Sequence, residues 1–194
     1  MKLHCLLLAL AVGASGCLGS APAAKFFTLS SVAGAASTPV AARPELGLVL
    51  GQVELPRYLD RAELVTRSGA HGLEVWNVVR WGGSLRTDVQ RVVADDLAYL
   101  LGTSRVAVYP NEARFLVSYR VSLELLEFGS APGHPVVLRT RWTIAGADGR
   151  AVAVGATNRE EPPASASWED YVAAHGAALA AVTREIAERI ASLP

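Results

Sequence analysis

Cysteine is almost missing from this chain: 194 residues hold only Cys5 and Cys17. Surplus charge is missing as well. Eighteen Lys and Arg balance eighteen Asp and Glu, so nothing draws the chain to nucleic acid or to an anionic surface by charge alone. Although 51% of the residues are hydrophobic, no apolar run reaches the length of a membrane-spanning helix. Catalytic signatures are missing too. G-x-S-x-G, H-E-x-x-H, the phosphate-binding G-x-x-x-x-G-K-[ST] and the dinucleotide G-x-G-x-x-G are all absent. His71, His134 and His175 fall in a turn, a loop and a helix with no ligand spacing between them. The expectation is therefore a protein that is not an enzyme, with no metal and no cofactor. What is present suits one domain, long enough to bury a substantial core.

The scarce cysteines take their meaning from the N-terminus. Met1 and Lys2 give a positive start, "LHCLLLALAV" an apolar stretch of signal-peptide length, and "GASG" a small-residue exit. Residues 1–16 read as an export signal, which would discard Cys5. Cys17 is then the single cysteine of the mature chain, so no internal disulfide can form and an exported thiol needs a reason. "ASGC" (14–17) resembles the lipobox of bacterial lipoproteins, whose cysteine receives a diacylglyceryl group; two or three acyl chains suffice for stable anchoring. A plain secretory signal leaving a free thiol is the alternative. Residues 17–45 are mostly small or Pro and read as a flexible tether, apart from a short strand at Phe26–Leu29.

The folded part is expected from residue 46 to 194. "LGLVLGQVELP" (46–56) is an aliphatic strand stopped by Pro56. "AELVTRS" (62–68) and "LEVWNVVRW" (73–81) flank the turn "GAHG" and predict a hairpin. The period then changes: Leu85, Val89, Val92, Val93, Leu97, Leu100 and Leu101 mark one face of a helix between Ser84 and Gly102. "RVAVYP" (105–110) is a short strand. Alternation from Phe115 to Leu125 predicts a strand with one wet face, and Asp148-Gly149 joins another hairpin over 135–146 and 150–160. A closing helix over 167–193 starts on Ser167 and Asp170 and buries Val172, Leu179, Val182, Ile186 and Ile190. The fold class is α/β (α+β): a mixed, mostly antiparallel sheet packed against two long helices in a single domain.

Candidate functional residues are few. Asp95 and Asp96 are neighbours on a helix and read as a solvated face; Glu169 and Asp170 suit a helix N-terminus. His175 falls on the buried seam of the last helix and reads as a satisfied core histidine. The connector "LPRYLDR" (55–61) stands out, with Tyr58 and Leu59 as apolar groups and Asp60 and Arg61 as an ion-pair candidate. It reads either as a plug at the sheet end or as a partner-contact loop.

"LPRYLDRAELVTR", "VVRWGGSLRTDVQRVVADDLAYLLG" and "RVAVYP" together resemble the PqiC (YmbA-like) family of ABC-type transport auxiliary lipoproteins. The family shares an L-P-x-Y-L-D-R-like segment, an Arg-Trp before the first helix, and a lipobox. The resemblance implies a non-catalytic periplasmic lipoprotein of a mammalian-cell-entry (MCE) type system moving phospholipids or other apolar molecules between two membranes. Implied partners are an MCE-type periplasmic protein, transporter membrane subunits and the lipid bilayer through acylated Cys17, with a ring of identical subunits as a further expectation. Leu18, in place of the Asp that retains many lipoproteins at the inner membrane, points to the outer membrane. A monomer that itself binds a small apolar ligand is the competing reading. It expects a deep apolar pocket, whereas assembly expects a filled core and an exposed apolar patch near Tyr58–Leu59.

Overall fold

The structure is a computed structural model that describes residues 23–31 and 38–194. The signal segment and Cys17 lie outside the described residues. Among the described residues eight strands and two helices follow in the order β1 (Lys25–Phe27), β2 (Leu48–Glu54), β3 (Glu63–Ser68), β4 (Gly72–Trp81), α1 (Leu85–Leu101), β5 (Val106–Val108), β6 (Tyr119–Gly129), β7 (Val136–Gly146), β8 (Ala151–Glu161) and α2 (Trp168–Ala191). They make two mixed sheets, β1-β4-β3 and β5-β2-β6-β7-β8. The sequence expectation of one sheet is refined in this respect, while the mixed, mostly antiparallel character and the two helices stand.

Local chemistry accounts for the element ends. Ser84 caps α1 by accepting from the Thr87 amide, and Gly102 ends it in the left-handed region at φ 60°, where a side chain would be strained. Ser167 caps α2 by accepting from the Asp170 amide at 3.1 Å. The Asp170 carboxylate does not return that bond; it accepts from Ser165, whose hydroxyl also receives the Ser167 amide at 3.1 Å. The strand expected from Phe115 begins only at Tyr119. There its pairing partner β2 starts, and Leu48 stands opposite Tyr119. Ahead of that point the chain crosses Gly47 so closely that a Cβ there would lie 2.0 Å from the Leu116 carbonyl oxygen.

Both helices cover one face of the five-stranded sheet, α1 over β2 and β5, α2 over β7 and β8, and touch each other. The alternating inward residues of the strands (Leu50, Val121, Leu123, Leu138, Ile144) meet the apolar faces of α1 and α2 in a single core. A register shift between Leu50 and Val53 leaves carbonyls of β2 pointing at α1. Gln90 donates to the Gly51 oxygen at 3.0 Å and Arg86 to the Val53 oxygen at 2.5 Å, so two polar residues of α1 sit on the sheet without loss.

The expected tether over 17–45 needs correction wherever it is described. Strand β1 pairs in parallel with the end of β4, placing Phe27 opposite Trp81. Leu29 is buried in the core, its amide bonded to the Asp88 carboxylate at 3.2 Å and its carbonyl to Arg91 at 2.5 Å. Residues 38–45 close both helix C-termini. The amides of Val40 and Arg43 donate to the Leu100 and Leu101 carbonyls at 2.8 Å each, and the Arg43 guanidinium donates to the Leu193 carbonyl at 3.0 Å. A composition poor in large side chains conceals this, because the packing is done by one leucine and by backbone groups that composition does not count.

Candidate functional site

Pro56 ends the run of β2, and the connector turns tightly: the Leu59 amide donates to the Pro56 carbonyl at 2.9 Å and the Arg61 amide to the Leu59 carbonyl at 2.9 Å. That turn separates the four residues singled out by sequence. Leu59 is buried in the core, so it is a plug and not a contact residue. Tyr58 is half-buried beside Val65, Arg67, Leu73 and Glu127. Burial raises its hydroxyl pKa, partly opposed by the Arg67 charge. Asp60 and Arg61 do not pair with each other. Asp60 meets Arg86 at 2.9 Å, tying the connector to α1, and Arg61 meets Glu63 at 2.9 Å, which in turn meets Arg80 at 2.9 Å. Neighbouring side chains in a turn diverge, and each finds its countercharge on another element.

Tyr58 has neighbours that sequence reading missed. Leu73 stands opposite Arg67 and Val75 opposite Val65 in the β3–β4 pairing, so these four share one face of the hairpin. Leu73 is 46% exposed and Val75 37% exposed. Beside them Glu127 joins Arg67 at 2.6 Å and Arg139 at 3.3 Å, a polar rim next to the apolar residues. The cause is a register shift of β4 after Trp76. Before the shift Trp76 faces inward, its indole donating to Thr66 at 2.9 Å and its ring meeting Trp168 edge-on at 5.0 Å; Leu73 and Val75 are thereby turned out. A signal was present: "LEVWNVVRW" carries apolar residues at both parities, which a strand with one wet face does not.

The remaining titratable candidates are structural. His175 is buried among Trp81, Phe128 and Tyr171, and its Nδ1 donates to the Tyr171 carbonyl at 2.8 Å. Burial lowers its pKa to about 4, so the ring is neutral at ordinary pH. Asp95 is exposed, but Asp96 is fully buried and accepts from the Ser31 hydroxyl, which corrects the reading of both as a solvated face. The docked segment 29–31 covers this carboxylate, and no sequence pattern on α1 announces it. Among the described residues no group of three His, Cys, Asp or Glu could hold a metal ion, and no helix is long and apolar enough to cross a membrane.

An open basin of about 610 Å³ lies on the outer face of the five-stranded sheet, floored by Ser122, Glu124, Arg141 and Thr143. Its lining mixes polar residues with Tyr109 and Leu123, and it is wide open. Core side chains fill the space between sheet and helices, where a ligand cavity would lie. The fold thus defines a class: an α+β module whose two helices and sheet enclose one apolar core.

The chain belongs to the family of ABC-type transport auxiliary lipoprotein components, whose sequence model matches residues 27–187. It is accordingly a lipoprotein of the cell envelope that accompanies ABC-type transport. Solved structures share its fold, among them two of closely matching extent. One is described only as an uncharacterized protein, with TM-score 0.71, 16% identity, and coverage of 87% of this chain and 99% of that one. The other is a DUF330 protein from Xanthomonas campestris, with TM-score 0.69, 18% identity, and coverage of 86% and 94%. No curated protein sequence matches the chain.

Proposed function

We propose that this protein is a non-catalytic, lipid-anchored subunit of an MCE-type, ABC-linked system that moves phospholipids or other apolar molecules between the inner and outer membranes. Cys17 carries the acyl chains, the outer membrane receives them, and the folded domain docks an MCE-type protein in the periplasm. The observation that carries this reading is the pairing of a filled core with an apolar patch outside it. Among the described residues apolar side chains pack between sheet and helices, whereas Tyr58, Leu73 and Val75 offer a partner a small apolar surface with a charged rim, the composition of a contact site. Leu59, buried beneath, holds the connector in shape.

The test is capture of the full-length protein from detergent-solubilised envelopes, read by mass spectrometry, with and without Leu73→Ser. The wild type should recover an MCE-type protein or transporter membrane subunits, and the variant several-fold less. Recovery of neither class by the wild type would overturn the assignment. Tight binding of a lipid by the isolated domain would replace it with the ligand-binding reading.

A further inference from the structure

We infer that the anchor holds one particular end of the domain on the bilayer, the end at β1, with Phe26 seated at the boundary between headgroups and acyl chains. This rests on acylation of Cys17 as proposed above. Between Cys17 and Lys25 lie seven residues, Leu18 to Ala24. Whatever their conformation, eight Cα–Cα steps at 3.3–3.6 Å span at most about 25–30 Å. A compact body of about 170 residues is roughly 40 Å across. The leash is shorter than the body it holds, so the far side of the domain cannot be turned to the membrane.

The leash ends on a fixed point. The Phe27 carbonyl accepts from the Gly82 amide at 2.7 Å, Leu29 is locked to Asp88 and Arg91 of α1, and Ser31 bonds buried Asp96. A pull on residue 25 therefore enters β4 and α1 and does not unroll a longer tether. Alternation along β1 turns Phe27 toward the core and leaves Phe26 63% exposed, a bare aromatic ring at the membrane-side end of the chain. Lys25 and Glu169 beside it stand 3.8 Å apart, so these two charges offset each other. The apolar face of Tyr58, Leu73 and Val75 remains for protein contact.

Spin labelling in vesicles tests this directly. In the lipidated protein Cys17 is modified and Cys5 has left with the signal, so Phe26→Cys or Val154→Cys supplies the one free thiol for a nitroxide. The labelled proteins are reconstituted in vesicles of phosphatidylethanolamine and phosphatidylglycerol, and collision of the label with oxygen is compared with that of a water-soluble nickel complex. The oxygen-to-nickel ratio should be several-fold higher at 26 than at 154. It should fall to the level at 154 when a Gly/Ser spacer longer than the domain is inserted between Ala24 and Lys25. Equal ratios at the two positions, or a ratio unchanged by the spacer, overturn the inference while the intact mass of the protein still shows its acyl chains. A mass without acyl chains removes the anchor reading itself, and this inference with it.

Discussion

At the scale of single residues, His175 and Leu59 show how burial converts chemistry into stability. The His175 pKa falls to about 4 from 6.5, so between those values the unfolded chain takes up a proton that the native state refuses. Stability is fully present above about pH 6.5, declines as the pH falls toward 4, and is level below that. A shift of this size corresponds to about 3 kcal/mol. Urea unfolding at pH 7 and at pH 4.5 should show a loss of that order, and His175→Phe should flatten the difference; an unchanged slope would count against the buried neutral ring. Leu59→Ala should cost about 2–5 kcal/mol, as truncation of a core leucine does. Tyr58→Ala, half-buried next door, should move the melting temperature far less and act on partner capture instead. The two side chains are adjacent in sequence and opposite in role. Tyr171 adds a third case: its hydroxyl both donates to the Ser130 carbonyl and accepts the Ser130 amide, each at 2.9 Å. Tyr171→Phe leaves the Ser130 amide buried and without its partner, while the Ser130 carbonyl keeps the Arg67 amide at 3.1 Å, so a loss of about 1–3 kcal/mol is expected on unfolding.

Elements are joined here by segments that look like linkers. The stretch Lys25–Ser31 adds a strand, a core leucine and a hydroxyl for a buried carboxylate, and residues 38–45 close two helix ends. Leu29→Ala should therefore destabilise by about 2–5 kcal/mol and raise hydrogen exchange in β1 and in the first half of α1, two elements it holds together. Exchange confined to residues 25–31 would mean that the segment is only laid on the surface. Within the sheet, Gly155 lies under Trp142 so closely that a Cβ would meet the indole Cζ2 at 2.2 Å. Gly155→Ala should displace that ring and cost at least about 1–3 kcal/mol, visible as a changed near-ultraviolet signal from tryptophan.

For the whole molecule the decisive quantity is where the anchor enters. A tether of some thirty residues would let the domain wander; with Cys17 acylated as proposed, a leash of seven would fix which end faces the lipid. Cys17→Ser should leave melting unchanged and release the domain into the soluble periplasm, read by fractionation in cells lacking its partners. Retention on membranes under those conditions would remove the acyl anchor. Density-gradient separation should place the wild type with outer-membrane markers, and co-migration with inner-membrane markers would contradict the assignment drawn from Leu18.

The sequence by itself determined the elements and their faces. Periods of 2.0 and 3.6, the caps Ser84, Gly102 and Ser167, and the Asp148-Gly149 turn are local properties, set by backbone geometry within a few residues. Both helices and the two hairpins were legible for that reason, as was His175 on the seam of α2. Only the tertiary structure decided the rest. The order β5-β2-β6-β7-β8 depends on pairings between residues some sixty or seventy positions apart, such as Leu48 with Val106 and Tyr119, which no local period encodes. The burial of Asp96 and the docking of residues 23–31 and 38–45 are decided by what arrives from elsewhere in the chain. The outward turn of Leu73 and Val75 follows from a register shift measured against β3. A pattern tells which side of an element is apolar; what comes to cover that side, or leaves it bare, is settled only when distant segments pack.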